Sequence, residues 1–262
     1  MRALNIAATG MLAQQMNVEV ISNNLANLST TGYKRQRAEF KDLLYQQYER
    51  PGSQGAGEGT TVPSGIQLGL GVRPGAVYRI NEQGVPQETS NDLDVAIQGK
   101  GYFTVQMPNG SEAYTRAGAF QLGPDGQIIT QEGYTVSPGI TVPEGSTKIN
   151  ITATGTVQAV LPGQTDPQTI GQLELATFIN PNGLEAQGDN LFKETTASGN
   201  PLTAAPGEDG YGTLLQGYLE NSNVDPVREI TSLIVAQRSY EMNSKIIKAA
   251  DEMLQAATQL RS

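Results

Sequence analysis

Leu4, Met11, Val18 and Leu25 recur every seven residues at the start of the chain, and Ala7, Gln14, Ile21 and Leu28 follow each by three. That spacing is an a/d seam with one polar d position, and it predicts a helix over the first 28 residues that ends before Gly32. Gly10 and the run Ser22, Asn23, Asn24 weaken it, each by a few tenths to ~1 kcal/mol relative to alanine. The far end of the chain repeats the pattern. Asp225 followed by Pro226 reads as an N-cap and an N1 proline. Leu233, Tyr240, Ile247 and Leu254 then form a heptad row beside Ala236, Asn243, Ala250 and Ala257. A second row, Val235, Met242, Ile246, Met253 and Leu260, falls on another part of the surface, so this helix needs partners on two sides.

Between the helices the period changes from 3.6 to 2. Phe103, Val105 and Met107 alternate with polar residues before the Asn109-Gly110 turn, and Phe120 and Leu122 lead into Pro124-Asp125-Gly126. Ile149, Ile151, Val157 and the run from Leu173 to Ile179 continue the theme. Residues ~90–195 therefore read as all-β, with sandwich and barrel both open. Pro51 to Gly65 and Thr195 to Gly212 are Gly- and Pro-rich, and read as loops or extended arms.

The fold class is α+β: terminal helices paired in a coiled-coil-like domain, with a long β insertion between them. The expected domains are 1–32 with 224–262 for the helices, 33–80 with 211–223 as an extended connector carrying a Gly-rich loop at about 46–68, and 81–210 as an outer β domain. Two helices of ~25–35 residues reach ~40–50 Å at 1.5 Å per residue. Alone they bury too little for firm stability, so other copies are expected to cover the remaining stripe.

Composition narrows the function. The 262 residues include 30 Gly and 14 Pro but no Cys and no His, which removes thiolate chemistry and the commonest metal ligand and general base. No cofactor or metal is expected, and no catalytic residue. The net charge of −9 is concentrated in the middle: residues 1–50 carry +2, residues 224–262 carry zero, and the rest −11. An acidic centre disfavours nucleic acid as a partner. No run approaches the ~20 apolar residues that span a bilayer, and the N-terminal stretch reads as mature structure rather than a cleaved signal.

The stretch NNLANLSTTGYKR from Asn23 to Arg35 resembles the N-terminal motif of the flagellar rod and hook protein family. YLENSNVDPVREITSLIVAQRSYEMNSKIIKAADEMLQ, from Tyr218 to Gln255, is similar to its C-terminal motif. DLDVAIQGKGYFTV (Asp92 to Val105) and AYTRAGAF (Ala113 to Phe120) resemble its central domain. KRQRAEFKDLLYQ (Lys34 to Gln46), followed by the Gly-rich loop, is similar to the distal-rod subgroup. The resemblance implies a structural part exported unprocessed by the type III apparatus. It would polymerise through its terminal helices into a helical tube that crosses the periplasm and passes torque from motor to hook. The implied partners are further copies of the chain, proximal rod proteins, hook protein, and the P-ring and L-ring proteins.

The candidate assembly residues are Leu4, Met11, Val18, Ile21, Asn23, Asn24, Leu25 and Asn27 on the first helix, and Leu233, Tyr240, Asn243, Ile247 and Leu254 on the second. By residue preference alone, Asn23, Asn24 and Asn27 read equally as a fraying helix end or as buried amides that fix register; the resemblance favours the second. Gly32, Tyr33 and Lys34 are the candidate connector, with Gly32 at positive φ and Tyr33 as either an aromatic anchor or an ordinary half-buried tyrosine. Lys34, Arg35, Arg37 and Lys41 suggest a basic patch for acidic neighbours, diluted by Glu39 and Asp42. Asp92, Asp94, Glu208 and Asp209 read as surface acids. Two rivals remain: another axial subunit of the proximal rod or hook, and a secreted carbohydrate-binding or carbohydrate-acting β protein. The missing His and the heptads at both ends weigh against the latter.

Overall fold

The computed structural model describes residues 2–48, 65–163 and 166–259. The greater part of the Gly-rich loop expected at about 46–68, including Pro51 to Ser64, lies outside the described residues, as does Leu260. The chain has a long helix at each end and a large β-rich region between them, an α+β architecture. It divides into two compact units. One comprises residues 1–25, 36–78 and 225–262, and the other residues 26–35 and 79–224.

In the first unit, helix α1 (Arg2–Ala26) and helix α2 (Pro226–Gln259) run side by side. α2 starts where its capping signal lies: the Asp225 carboxylate accepts the backbone N–H groups of Val227 at 3.0 Å and Arg228 at 3.3 Å, satisfying two donors the helix cannot use. Strands Gln36–Asp42 and Val72–Arg79 pair with each other, and Tyr45–Gln47 pairs antiparallel with Gln67–Gly69. The first of these pairs reaches α1 where the Val72 N–H donates to the Thr9 hydroxyl at 3.3 Å.

The second unit is built on strand Tyr102–Gln106, which pairs with Glu112–Thr115, Thr135–Val136 and Leu175–Thr177 in a nine-stranded sheet. Its alternation places Phe103 and Val105 in the main core with Val95, Ile97, Phe120, Ile128 and Leu173. Tyr102 goes to a second, aromatic cluster with Tyr114, Phe178 and Leu184. Both sheet faces are thus covered, which explains why this segment is more apolar than a half-exposed strand. Lys148–Ile151, Thr156–Val160 and Gln168–Gln172 form a separate antiparallel sheet. The described strands form open sheets rather than the closed barrel left possible by the periodicity. Asp189 and Asn190, at φ 50° and 58°, make the two-residue turn between Glu185–Gly188 and Leu191–Lys193, where positive φ matches the strand twist.

Candidate assembly face and connector

Two contacts fix the pairing of the helices. The Asn24 side-chain amide donates to Glu229 Oε2 at 3.2 Å, and a β-carbon at Gly10 would lie 2.8 Å from Nδ2 of Asn243. Fourteen residues separate the contacts on each helix, so the helices are antiparallel over about 21 Å at 1.5 Å per residue. In that register Asn17 falls opposite Ala236. The closest rows are therefore Gly10, Asn17 and Asn24 on α1, and Glu229, Ala236 and Asn243 on α2.

This differs from the seam expected on α1. Ala7 and Ile21 are buried, but Leu4, Met11, Val18 and Leu25 are only half-buried. The greasiest heptad row of α1 flanks the contact, and small or amide-bearing residues occupy it, because the close approach at Gly10 leaves no room for a leucine. On α2, Leu233, Asn243 and Ile247 are half-buried beside the buried Ala236 and Ala250, while Tyr240 and Leu254 are more open. Val18 and Tyr240, with Gln15, Glu19, Gln237 and Glu241, line a groove of 340 Å³. The second apolar row of α2 faces outward: Val235, Met242, Ile246 and Met253 are 50–67 % exposed.

The three asparagines separate in role. Asn24 is buried. Besides Glu229, its amide contacts the backbone of Gln36 twice, donating to the carbonyl at 2.8 Å and accepting the N–H at 2.8 Å. Asn23 is exposed, and Asn27 accepts the Thr30 hydroxyl at 3.1 Å in a turn. Within the single chain, Asn24 is the one of the three whose amide is buried.

The connector residues belong to the β-rich unit. Gly32 has φ 70°, and its N–H donates to the Glu220 carbonyl at 2.8 Å; a β-carbon would stand 3.0 Å from the backbone of Arg116 and Ala117. Tyr33 is half-buried. Lys34 corrects the basic-patch reading: it is buried, with Nζ 2.5 Å from Glu220 Oε1 and 2.8 Å from the Glu82 carbonyl. Burial pushes its ammonium below the usual lysine value, with Glu220 pulling the other way. Arg116 reaches the second Glu220 oxygen through Nε at 2.9 Å and donates to the carbonyls of Gly99 and Gly101. The Gly84 N–H donates to Glu220 at 2.9 Å. Every charge in this buried triad is met by an opposite charge or a backbone dipole, which a buried ion requires. Asp94 also departs from the surface-acid reading: it is buried and accepts from Thr89 at 2.7 Å and Asn91 at 2.9 Å.

Comparison with known proteins bears on this geometry. A family model described as flagella basal body rod protein matches residues 4–34, and one described as flagellar basal body rod FlgEFG protein C-terminal matches residues 215–260. Between them, the flagellar hook protein FlgE/F/G D1 domain matches residues 96–159. The chain is 62 % identical over 262 residues to the flagellar basal-body rod protein FlgG of Caulobacter vibrioides, covering all of both chains. Identity to the protein of that name is 47 % in Borreliella burgdorferi, over all of this chain and 99 % of the relative. In Bacillus subtilis it is 38 %, at the same coverage. The chain belongs to the flagellar basal-body rod protein family.

For a member of that family the matched segments include the helices and the connector. Four residues of this geometry escape sequence reasoning: Gly10 and Glu229 at the helix contact, and Arg116 and Glu220 in the triad. Glu229 carried a signal, since it stands one heptad before the row Ala236, Asn243, Ala250. Glu220 carried none, because its lysine partner is 186 positions away. Among the described residues, no helix is long and apolar enough to cross a membrane, and no cluster of three or more His, Cys, Asp or Glu could hold a metal ion.

Proposed function

We propose that the chain is a structural subunit of the distal rod of the bacterial flagellum, joined to further copies through its terminal helices in a helical tube that carries torque from motor to hook. The observation that carries this is the exposed apolar row of α2, Val235, Met242, Ile246 and Met253, about a quarter-turn round the helix from the face already occupied by α1. Exposed apolar stripes of this length mark protein contacts. Identical faces related by a rotation that does not close generate an open helical polymer.

In this reading residues 1–32 and 224–262 form the polymerisation domain, residues 33–80 and 211–223 the connector with its loop at about 46–68, and residues 81–210 the outer domain of the tube. Leu4, Met11, Val18 and Leu25 flank the intramolecular seam and take part in contacts between copies. The partners are proximal rod proteins below, hook protein above, and the P-ring and L-ring proteins around the tube, after export without cleavage by the type III apparatus. The role is mechanical and needs no catalysis.

The test is the double substitution Met242→Glu, Ile246→Glu. Because these side chains are at least half exposed, beside the α1 seam and not in it, the purified variant should keep the wild-type thermal transition. It should stay monomeric at concentrations where the wild-type chain assembles, and cells carrying it should export the protein yet fail to swim. Wild-type motility from this variant would overturn the proposal.

A further inference from the structure

The sequence contains two Asn-Gly pairs, Asn109-Gly110 and Asn182-Gly183. Such pairs are chemically weak points, since the glycine nitrogen can attack the asparagine side chain with no β-carbon in the way. Folding decides whether it does. We propose that Asn109 is a site of spontaneous deamidation in the folded protein, which turns it into aspartate and isoaspartate, and that Asn182 is protected.

Access separates the two sites first. Asn109 and Gly110 are exposed at the tip of the hairpin joining Tyr102–Gln106 to Glu112–Thr115. Gly110 has φ 78°, and a β-carbon there would meet nothing within 4 Å, so the peptide can turn without a clash. Electrostatics add to this. Asn109 Oδ1 accepts the Ser111 N–H at 3.0 Å and the Ser111 hydroxyl at 2.7 Å. Two donors on one amide oxygen polarise its carbon and are already placed where negative charge develops as that carbon becomes tetrahedral. Opposing them is a single turn bond, from the Gly110 N–H to the Met107 carbonyl at 2.9 Å.

Asn182-Gly183 lacks this freedom. It lies in the short helical turn Pro181–Gly183, and a β-carbon at Gly183 would stand 2.6 Å from the backbone of Ala197 and Ser198. Asn182 Oδ1 accepts the side-chain amide of Asn81 at 2.8 Å instead of a hydroxyl and a peptide N–H.

The step balances with water and hydroxide alone. Hydroxide removes the Gly110 amide proton, and the nitrogen bonds to Cγ of Asn109. The Cγ–NH2 bond then breaks, and ammonia leaves with a proton from water. The resulting five-membered imide takes up one water at either carbonyl, giving aspartate or isoaspartate. Nothing is oxidised or reduced, and each event adds one negative charge to the already acidic middle of the chain.

The experiment incubates the full-length folded protein in mildly alkaline buffer and follows both Asn-Gly peptides by mass spectrometry, with a parallel sample in urea. The expected result is conversion at Asn109 while Asn182 remains intact, and conversion of both in urea. Ser111→Ala, which removes the hydroxyl donor but keeps the peptide N–H, should slow the Asn109 reaction in the folded protein by about fivefold, the worth of one modest hydrogen bond. Its effect should vanish in urea. Equal rates at the two sites in the folded protein, or an Asn109 that converts only in urea, would overturn the proposal. An unchanged folded-state rate in Ser111→Ala would remove the hydroxyl from it.

Discussion

Asn24 donates to Glu229 at 3.2 Å across the helix pair while holding both backbone groups of Gln36, so one buried amide sets the register of α1 against α2 and the start of the strand that follows. The carboxylate is fully buried. Burying a polar pair of this kind contributes less to net stability than an apolar pair of equal size, but it penalises any other register by stranding its members.

Asn24→Leu should destabilise the helix unit more than its small change in volume implies. The Gln36 N–H and carbonyl lose partners, and Glu229 loses a donor, at about 1–3 kcal/mol for each stranded group. Hydrogen exchange along α1 and α2 reads this directly. A double-mutant cycle with Glu229→Gln should give a coupling of at least ~0.5 kcal/mol, as expected for groups in one network. Strict additivity would mean that the two side chains act independently.

Gly10→Ala places a methyl group 2.8 Å from the Asn243 amide nitrogen. Alanine's helix propensity favours the change by up to ~1 kcal/mol, whereas the clash opposes it by about 1–3 kcal/mol. Loss of thermal stability is expected. Asn243→Ala in the same chain should restore it, because the shorter side chain removes the clash and leaves the propensity gain. A stabilised single mutant would show that the Asn243 side chain swings aside and does not limit the approach at Gly10.

Tyr114 sits between the sheet and Phe178, with ring centroids 4.8 Å apart. Burial first, then the nearby Glu112 and Glu194, raises its phenol pKa above the usual value. An unfolded tyrosine ionises near pH 10. Above that pH the unfolded chain loses the proton while the folded one keeps it, so the stability from Tyr114 is intact below about pH 10 and is lost as pH rises further. Tyr114→Phe should therefore show a smaller fall in urea midpoint between about pH 8 and about pH 11 than the wild-type protein. Identical falls would place the alkaline sensitivity elsewhere, for instance at Tyr102, whose phenol is also raised by burial.

Much of this fold can be read from the chain because its signals are local. The Asp225-Pro226 cap, the positive φ of Gly32 and the turns at Gly110 and Gly126 depend on a few neighbouring residues, and each has its expected form. The innermost row of the α1–α2 contact is not legible from heptad hydrophobicity, for a physical reason. Heptad analysis ranks rows by hydrophobicity and so selects Leu4, Met11, Val18 and Leu25, but close helix approach selects Gly10, Asn17 and Asn24 by size. The burial of Lys34 is hidden in another way. A lysine among Arg35, Arg37 and Lys41 resembles a solvated run, and only the tertiary fold brings Glu220 to it.

That carboxylate gives the sharpest test of the connector. Glu220 accepts from Lys34, Arg116 and Gly84, and its backbone carbonyl accepts from Gly32, so residues that follow α1 in sequence are tied to one that precedes α2. Glu220→Leu leaves two buried cations without their anion, and breaking such a pair from one side costs about 3–5 kcal/mol. Lys34→Met should be milder, because Glu220 keeps Arg116 and the Gly84 N–H while methionine fills the lysine stem's volume. Combining Lys34→Met with Glu220→Gln should recover part of the loss of Glu220→Leu, since only Arg116 then lacks a carboxylate and it still donates to the Gly99 and Gly101 carbonyls. Urea unfolding followed by tyrosine fluorescence measures all three. If Glu220→Leu cost no more than a surface substitution, roughly 0.5 kcal/mol, the triad would contribute nothing to holding Gly32 through Lys34 against the β-rich unit.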